Sequence, residues 1–177
     1  MRLFVALDLP HTLRERLSRL GFGLPGARWL PPENYHLTLR FLGELPGHRA
    51  EDVDLALAAL RGRGMTLQVQ GVNVLEKAGR PVALYAGILR NPQLDHLQNR
   101  IETAMQRIGL PPDRRRFNPH VSLARLDNAP PGDLIGWLQA HTLFKADPMT
   151  VSHITLFSSR LGKDQAVYEA EVEYPLG

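Results

Sequence analysis

Two histidines in this sequence are each followed, two positions later, by a hydroxyl side chain. His36 precedes Thr38 in the stretch HLTL, and His120 precedes Ser122 in the stretch HVSL. Successive side chains of a β-strand point to opposite faces, so each histidine would share a face with its hydroxyl. Near neutral pH one imidazole can accept a proton while another, protonated, donates one, and hydroxyls can donate to phosphate oxygens. These residue types suit the displacement of a phosphodiester without a metal ion.

The same pattern occurs a third time, as HITL from His153, and a repeat register separates it from the other two. About 0.1 match to this pattern is expected by chance in a chain of this composition. His36 and His120 lie 84 positions apart, as do the stretches MTL and MTV, which indicates a duplicated unit. The position 84 residues before His153 is Val69, and no Pro-Asn segment precedes His153. We therefore expect a structural or surface role for His153.

The elements that must position the motifs alternate as strand, helix, strand, helix, strand in each half of the chain. Alternation predicts a strand over residues 2–8, and MTLQVQGVNVLE is expected to form the strand that closes the first half. Short strands, helices on the outer faces and a closing hairpin predict an α+β fold of two pseudo-symmetric antiparallel lobes with a central cleft. We expect one bilobal domain over residues 1–177, with approximate repeats at 1–78 and 81–177.

Composition sets the class of protein. The chain has 177 residues, of which 44% are hydrophobic, and this is enough for one compact core. It has no cysteine, which excludes disulfides and thiolate metal sites and fits a reducing cytoplasm. The opening MRLFVALDLP is too short for a signal sequence, and no apolar run has the length of a membrane span. The net charge of +3 permits an anionic partner without requiring one.

The sequence around the two motifs resembles a known family, the RNA 2',3'-cyclic phosphodiesterases, also called 2'-5' RNA ligases, of the two-histidine (2H) phosphoesterase superfamily. The resemblance runs nearly end to end, through RLFVALDLP, RWLPPENYHLTLRFLGE, FNPHVSLAR and LFSSRLGKDQAVYEAEVEYPL. It implies metal-independent hydrolysis of cyclic phosphate ends of RNA to 2'-phosphomonoesters, with no cofactor. By this resemblance His36 is the proton donor to the leaving 3'-oxygen and His120 is the base that activates water. Reversible 2'-5' RNA ligation would use the same histidines.

Three basic features are candidates for binding the substrate. Arg125 lies where the family has an arginine, although its odd spacing from His120 puts it on the opposite strand face unless the strand ends or bulges first. Arg40 is expected on the same face as His36, within reach of a phosphate. The basic run at 114–116 lies beside the second motif, where an RNA backbone could pass. The alternative is a surface ion pair for Arg125, a solvated strand arginine for Arg40 and an ordinary solvated loop for the basic run.

Aromatic residues near the motifs are candidates for stacking on a nucleobase. Trp29 lies in the loop before the first motif, and Phe4 and Tyr85 lie on predicted strands. The alternative for all three is a place in the hydrophobic core, where aromatic side chains are common.

Two other classes of function remain open at this point. A non-catalytic RNA-binding module is possible because paired α+β sheets also bind RNA, but such a module needs stacking aromatics where these strands carry histidine and hydroxyl. A metal-dependent hydrolase would use the histidines as ligands, but no H-E-x-x-H or related spacing is present. We expect a monomer that acts on RNA with a 2',3'-cyclic phosphate terminus and does not bind a membrane.

Overall fold

The computed structural model describes residues 1–177 and contains ten β-strands and four α-helices. The strands are β1 (Arg2–Asp8), β2 (Ala27–Trp29), β3 (His36–Glu44), β4 (Met65–Leu67), β5 (Val69–Lys77), β6 (Arg80–Ile88), β7 (His120–Leu126), β8 (Met149–Val151), β9 (His153–Leu161) and β10 (Ala166–Pro175). The helices are α1 (His11–Ser18), α2 (Gly47–Ala58), α3 (Pro92–Arg107) and α4 (Pro131–His141), and a short 3₁₀ helix spans Pro32–Asn34. None of the helices combines the length and the apolar character that a membrane span requires.

The longest helix, α3, shows how the sequence specifies these elements. The Asn91 side chain accepts hydrogen bonds from the backbone N–H groups of Gln93 and Leu94, which satisfies donors that the first turn leaves free. Pro92 occupies the first turn, where its missing N–H costs nothing. Four apolar side chains at helical spacing are buried: Leu94, Leu97, Ile101 and Met105.

One antiparallel sheet runs through the molecule in the order β10-β9-β1-β3-β7-β6-β5, with β2 paired to β7, and β4 and β8 form a separate pair. The main core contains the buried residues of all four helices together with alternate strand residues such as Leu3, Val5 and Leu7. Phe4 and Ala6, between them on β1, belong to a separate small cluster on the other side. The helices therefore cover one face of the sheet. We call the opposite face the open face, and the predicted α+β class is confirmed.

The strand that was predicted to close the first half of the chain instead crosses to the other half of the sheet. Residues 65–76 form two strands, and the second of these, β5, pairs with β6. In the same way β9, its counterpart in the repeat register, pairs with β1. One half-sheet therefore consists of β10, β9, β1 and β3, and the other of β7, β6, β5 and β2. Each half-sheet contains two strands from the other half of the sequence, because the repeats interlock.

A single ladder pair joins the two half-sheets. Leu37 of β3 lies opposite Val121 of β7, and both are fully buried on the helix side. We call these two residues the central pair. They are 84 positions apart, so each residue pairs with its own counterpart in the repeat. An antiparallel contact of this kind places a local twofold axis between the two strands.

Candidate active site

Both H-x-[ST] elements meet on the open face, on either side of the central pair. Residues next to an antiparallel pair point to the opposite face, and they lie across from each other with Cβ atoms about 5 Å apart. Extended by one residue to either side, this register sets His36 across from Ser122 and Thr38 across from His120. The four side chains that the sequence singled out for chemistry therefore form one cluster around the twofold axis.

A β-bulge in β3 turns Arg40 away from this cluster. Leu39 is an extra residue in the ladder between β1 and β3, so the alternation of faces shifts by one position beyond it. Arg40 is only 6% exposed, and its Nε donates to a carboxylate oxygen of Glu102 at 2.6 Å on the helix side. The expectation that Arg40 shares the face of His36 is wrong for this reason. Phe41 takes the place on the open face and is 52% exposed.

A matching β-bulge in β7 returns Arg125 to the open face. Leu123 is the extra residue there, between a pair at Ala124 and the next at Ser122. Beyond it Arg125 is exposed, and it lies on the same face as His120 despite the odd spacing. Arg28 of β2 pairs with Arg125 and is also exposed, so a second guanidinium that the sequence analysis did not select lies beside it.

His36 lies in a pocket of aromatic rings. The ring centroids of Phe4, Tyr168 and Phe157 lie 4.9, 5.0 and 5.7 Å from that of His36. Phe4 is only 3% exposed, so it has no free ring face for a nucleobase, and the expectation that it stacks on the substrate is wrong. Its contact is with the histidine instead, which it helps to remove from water.

Trp29 lies on the helix side of the sheet. It pairs with the buried Ala124 and packs against Trp137 of α4, with ring centroids 5.6 Å apart. Trp29 therefore packs against the core, as the alternative reading expects, and away from the open face. Tyr85 is on the open face, where its ring centroid lies 5.1 Å from that of His120.

Burial controls the protonation of His36. Removal from water, together with the nearby guanidinium of Arg14, lowers the pKa of His36 to about 4, and the carboxylate of Asp8 opposes this change. The imidazole is therefore neutral at pH 7 in the unliganded protein.

The tautomer of His120 is set by a backbone carbonyl. Its Nδ1 lies 2.6 Å from the carbonyl oxygen of Asn118, and a carbonyl can only accept. Nδ1 therefore carries the hydrogen, which leaves Nε2 of a neutral ring with a free lone pair. This nitrogen can accept a proton.

His153 lies at the end of β9 with two carboxylates near it. Its Nε2 is 3.6 Å from Asp8 Oδ2 and 3.9 Å from Glu173 Oε1. The ligand-type atoms of the three residues all lie within 4.8 Å of one another, a grouping that acidic side chains commonly form without a metal ion. The sequence analysis missed this group because its members come from three different strands and have no local spacing.

The basic run at 114–116 reaches the open face through Arg115. The guanidinium carbon of Arg115 lies 5.6 Å from the centroid of the Phe41 ring. A cation and an exposed aromatic ring thus lie together beyond the bulge of β3, which is the combination that single-stranded nucleic acid sites use.

An antiparallel sheet that is covered by helices on one face and carries two H-x-[ST] elements side by side on the other defines a two-histidine phosphoesterase. Residues 7–85 and 89–168 match the family described as LigT like Phosphoesterase, and together they span most of the chain. The chain belongs to this family.

Named relatives and a solved structure are similar to the chain over most of its length. The RNA 2',3'-cyclic phosphodiesterase of Escherichia coli (strain K12) is 30% identical over 179 residues, which cover 94% of this chain and 92% of that protein. A protein of the same name from Archaeoglobus fulgidus is 28% identical over 135 residues, covering 74% of this chain and 76% of that protein. The crystal structure of E. coli LigT complexed with 3'-AMP has a TM-score of 0.80 and 26% identity, covering 99% of this chain and 97% of that chain.

Proposed function

We propose that the protein hydrolyses 2',3'-cyclic phosphodiester ends of RNA to 2'-phosphomonoesters by acid–base catalysis between His36 and His120. The observation that carries the proposal is the register of the central pair, which puts both histidines and both hydroxyls on one face. The names of the two relatives and the 3'-AMP complex of E. coli LigT support the choice of substrate.

The reaction needs one proton acceptor and one proton donor on opposite sides of phosphorus. His120 Nε2 takes a proton from water, whose oxygen forms a bond to phosphorus. The bond from phosphorus to the 3'-oxygen breaks, and protonated His36 gives its proton to that oxygen. The product carries a 3'-hydroxyl and a 2'-phosphate, and proton exchange with solvent restores both imidazoles. If a 5'-hydroxyl replaces water, the same steps form a 2'-5' linkage.

Donors on the open face stabilise the charge that develops on phosphorus. Thr38 and Ser122 lie one step along the strand from the histidines and donate to the non-bridging oxygens. Arg125 adds a cation that the bulge in β7 places on the same side. Hydrogen-bond donors fixed in place before the substrate arrives need no reorganisation during the reaction.

The negative charge of the bound phosphate raises the pKa of His36, so that the ring can be protonated and act as the acid. A unit negative charge about 4 Å from the ring, at an effective dielectric constant of about 20, favours the imidazolium by about 4 kcal/mol. Each pKa unit corresponds to about 1.4 kcal/mol, so this attraction is large enough to raise the pKa of His36 from about 4 to near neutrality. His36 then gains its proton when substrate binds.

The RNA strand leaves the site across Phe41 and Arg115. The exposed ring offers a stacking surface and the guanidinium a contact for the backbone. We propose that the enzyme works as a monomer in the cytoplasm, in RNA processing.

The direct test is incubation with an RNA oligonucleotide that ends in a 2',3'-cyclic phosphate. We expect a product with its phosphate on the 2'-oxygen, formed equally well in the presence of EDTA. A product with a 3'-phosphate would contradict the assigned leaving group, and a strict need for a divalent ion would contradict the acid–base mechanism. An oligonucleotide that binds and is recovered unchanged would identify the non-catalytic alternative.

A further inference from the structure

The two histidines are equivalent in the sequence repeat but have different neighbours across the sheet. His36 lies opposite Asp8 in the ladder between β3 and β1. His120 lies opposite Gly87 in the ladder between β7 and β6. A Cβ at Gly87 would lie 2.9 Å from the backbone oxygen of Gln70, so a side chain there requires the backbone to shift. Only one of the two histidines therefore has a carboxylate across from it.

Asp8 is held in place from several sides. The hydroxyl of Thr155, which is fully buried, donates to Oδ2 of Asp8 at 3.2 Å. His153 Nε2 lies 3.6 Å from the same oxygen, and Arg14 lies 3.7 Å from Oδ1. Arg14 is itself anchored, since it donates to the backbone carbonyls of Leu9 and Pro32. The third H-x-T element of the sequence thus supplies two of the contacts to Asp8.

The surroundings of His36 otherwise oppose a positive charge. The aromatic pocket excludes water, which disfavours the imidazolium, and the cation of Arg14 disfavours it further. Other titratable groups on this side include Tyr168, against the ring, and the pair His153 and Glu173 beyond Asp8. Asp8 is the carboxylate directly across the ladder from His36, and its charge favours the protonated ring.

We propose that Asp8 is the positioning residue that enables His36 to hold the proton it donates, and that Thr155 and His153 of the third element hold Asp8 for this purpose. The inference rests on the proposed function, in which His36 protonates the leaving oxygen. It gives a physical reason for the division of roles that the symmetric motifs leave open: the acid has an anion beside it, and the base has a carbonyl that fixes its tautomer.

NMR titration of the His36 ring in the unliganded protein tests this without any turnover. An opposite charge within about 6 Å shifts a pKa by about 1 to 3 units. We expect Asp8→Asn to lower the His36 midpoint by about one pH unit or more, and Arg14→Gln to raise it. Asp147→Asn removes a carboxylate from an exposed loop and is the matched control. An unchanged midpoint in Asp8→Asn, or a lowered one in Arg14→Gln, would overturn the proposal.

The pH–rate profile connects this charge to the chemistry. At pH 7 we expect Asp8→Asn to lower kcat/KM about tenfold, since each unit of lowered pKa removes about nine tenths of the protonated acid. Asp8→Glu should recover much of the loss. Thr155→Val, which removes the hydroxyl that holds Asp8, should change the midpoint and rate in the same direction by less, and it provides the test if Asp8→Asn does not fold.

The two proposals fail in different ways. A wild-type protein with no turnover would contradict the proposed function, while the titrations would still decide the role of Asp8. A large loss of turnover in Asp8→Asn with an unchanged His36 midpoint would contradict the role of Asp8 alone.

Discussion

The same side chain behaves differently at the three H-x-[ST] positions because each strand gives it different neighbours. His36 is enclosed by aromatic rings, His120 is bonded to a backbone carbonyl, and His153 lies between two carboxylates. Sequence pattern could identify the residues but not these surroundings, which come from other strands. The proposed chemistry makes the first two essential and gives the third a supporting place only.

Replacing either proposed catalytic histidine should abolish most turnover. General acid–base groups contribute about 10² to 10⁴ in rate, so His36→Gln and His120→Gln should each lower kcat/KM by at least about 100-fold. His153→Ala should keep most of the activity. Rates are measured on the cyclic-phosphate oligonucleotide, with His48→Gln, an exposed site on α2, as the matched control. An equal loss in His36, His120 and His153 variants would contradict the repeat-register argument.

The half-buried His36 should make stability depend on pH on the acid side. Burial, with help from Arg14, lowers the pKa of His36 from 6.5 to about 4, so the unfolded chain binds the proton first as pH falls. The free energy of unfolding should drop by about 2 kcal/mol between pH 7 and pH 5 from this group alone. Urea unfolding of wild type and His36→Gln at pH 7 and pH 5 measures the difference. His48→Gln, which leaves the His36 ring in place, is the control. A drop of equal size in His36→Gln would show that other groups cause it.

The bulges at Leu39 in β3 and at Leu123 in β7 decide which arginine faces the substrate. Simple alternation puts Arg40 on the face of His36 and Arg125 on the face away from His120. In the structure Arg40 lies on the helix side and Arg125 lies on the open face. A bulge depends on the pairing of two strands rather than on one strand's own residues, so alternation could not predict it. Trp29 was misplaced for a related reason, since its short strand pairs with β7 from the other half of the sequence.

Replacing Arg125 should therefore lower activity, whereas replacing Arg40 should lower stability. Arg125→Met should lower kcat/KM about tenfold or more, because a charge-assisted hydrogen bond to phosphate is lost, with little change in stability. Arg40→Met should lower the free energy of unfolding by about 3 kcal/mol, because it leaves the Glu102 carboxylate without its partner. Denaturation and initial rates, measured on both variants, separate the two roles. Normal turnover in Arg125→Met would exclude it from phosphate binding.

Because the bulge in β3 turns Arg40 toward Glu102, it also makes the stability of the protein depend on pH in the acid range. Burial on its own would raise the pKa of Glu102, but hydrogen bonds from Arg40, from the Asp113 N–H and from Gln106 lower it to about 2. The ionised carboxylate therefore contributes stability above about pH 4.5 that is lost as pH falls toward 2. Most of this range lies below the one over which His36 changes stability, from pH 6.5 to about 4.

At the scale of the whole molecule, the order of strands and helices along the chain was predictable from the sequence, but which strands pair with each other was not. The register of 84 residues located equivalent strands, and the α+β class followed from their order. Periodicity shows that a segment is a strand, but not which strand it pairs with, so the exchange of β5 and β9 could not be read from it. We propose that repeats at 1–78 and 81–177 form a single domain for this reason.

Neither repeat should fold alone. A fragment of residues 1–78 would contain β5 and β2 without their partners, and a fragment of 81–177 would contain β9 and β10 without β1. Circular dichroism and urea titration of both fragments should show no cooperative transition, while the full chain shows one. Equimolar mixing should restore structure if the halves are complementary. A fragment that unfolds cooperatively by itself would show that the repeats are separate domains.

The register of the central pair also has a consequence for the ancestry of the chain. A residue that pairs with its own counterpart makes an isologous contact, the kind that two identical subunits make about a dyad, and exchanged strands are how such subunits commonly interlock. A homodimeric ancestor of half this length would already have held two imidazoles on one surface. Fusion of two such copies would leave each free to diverge, as with Asp8 opposite one histidine and Gly87 opposite the other.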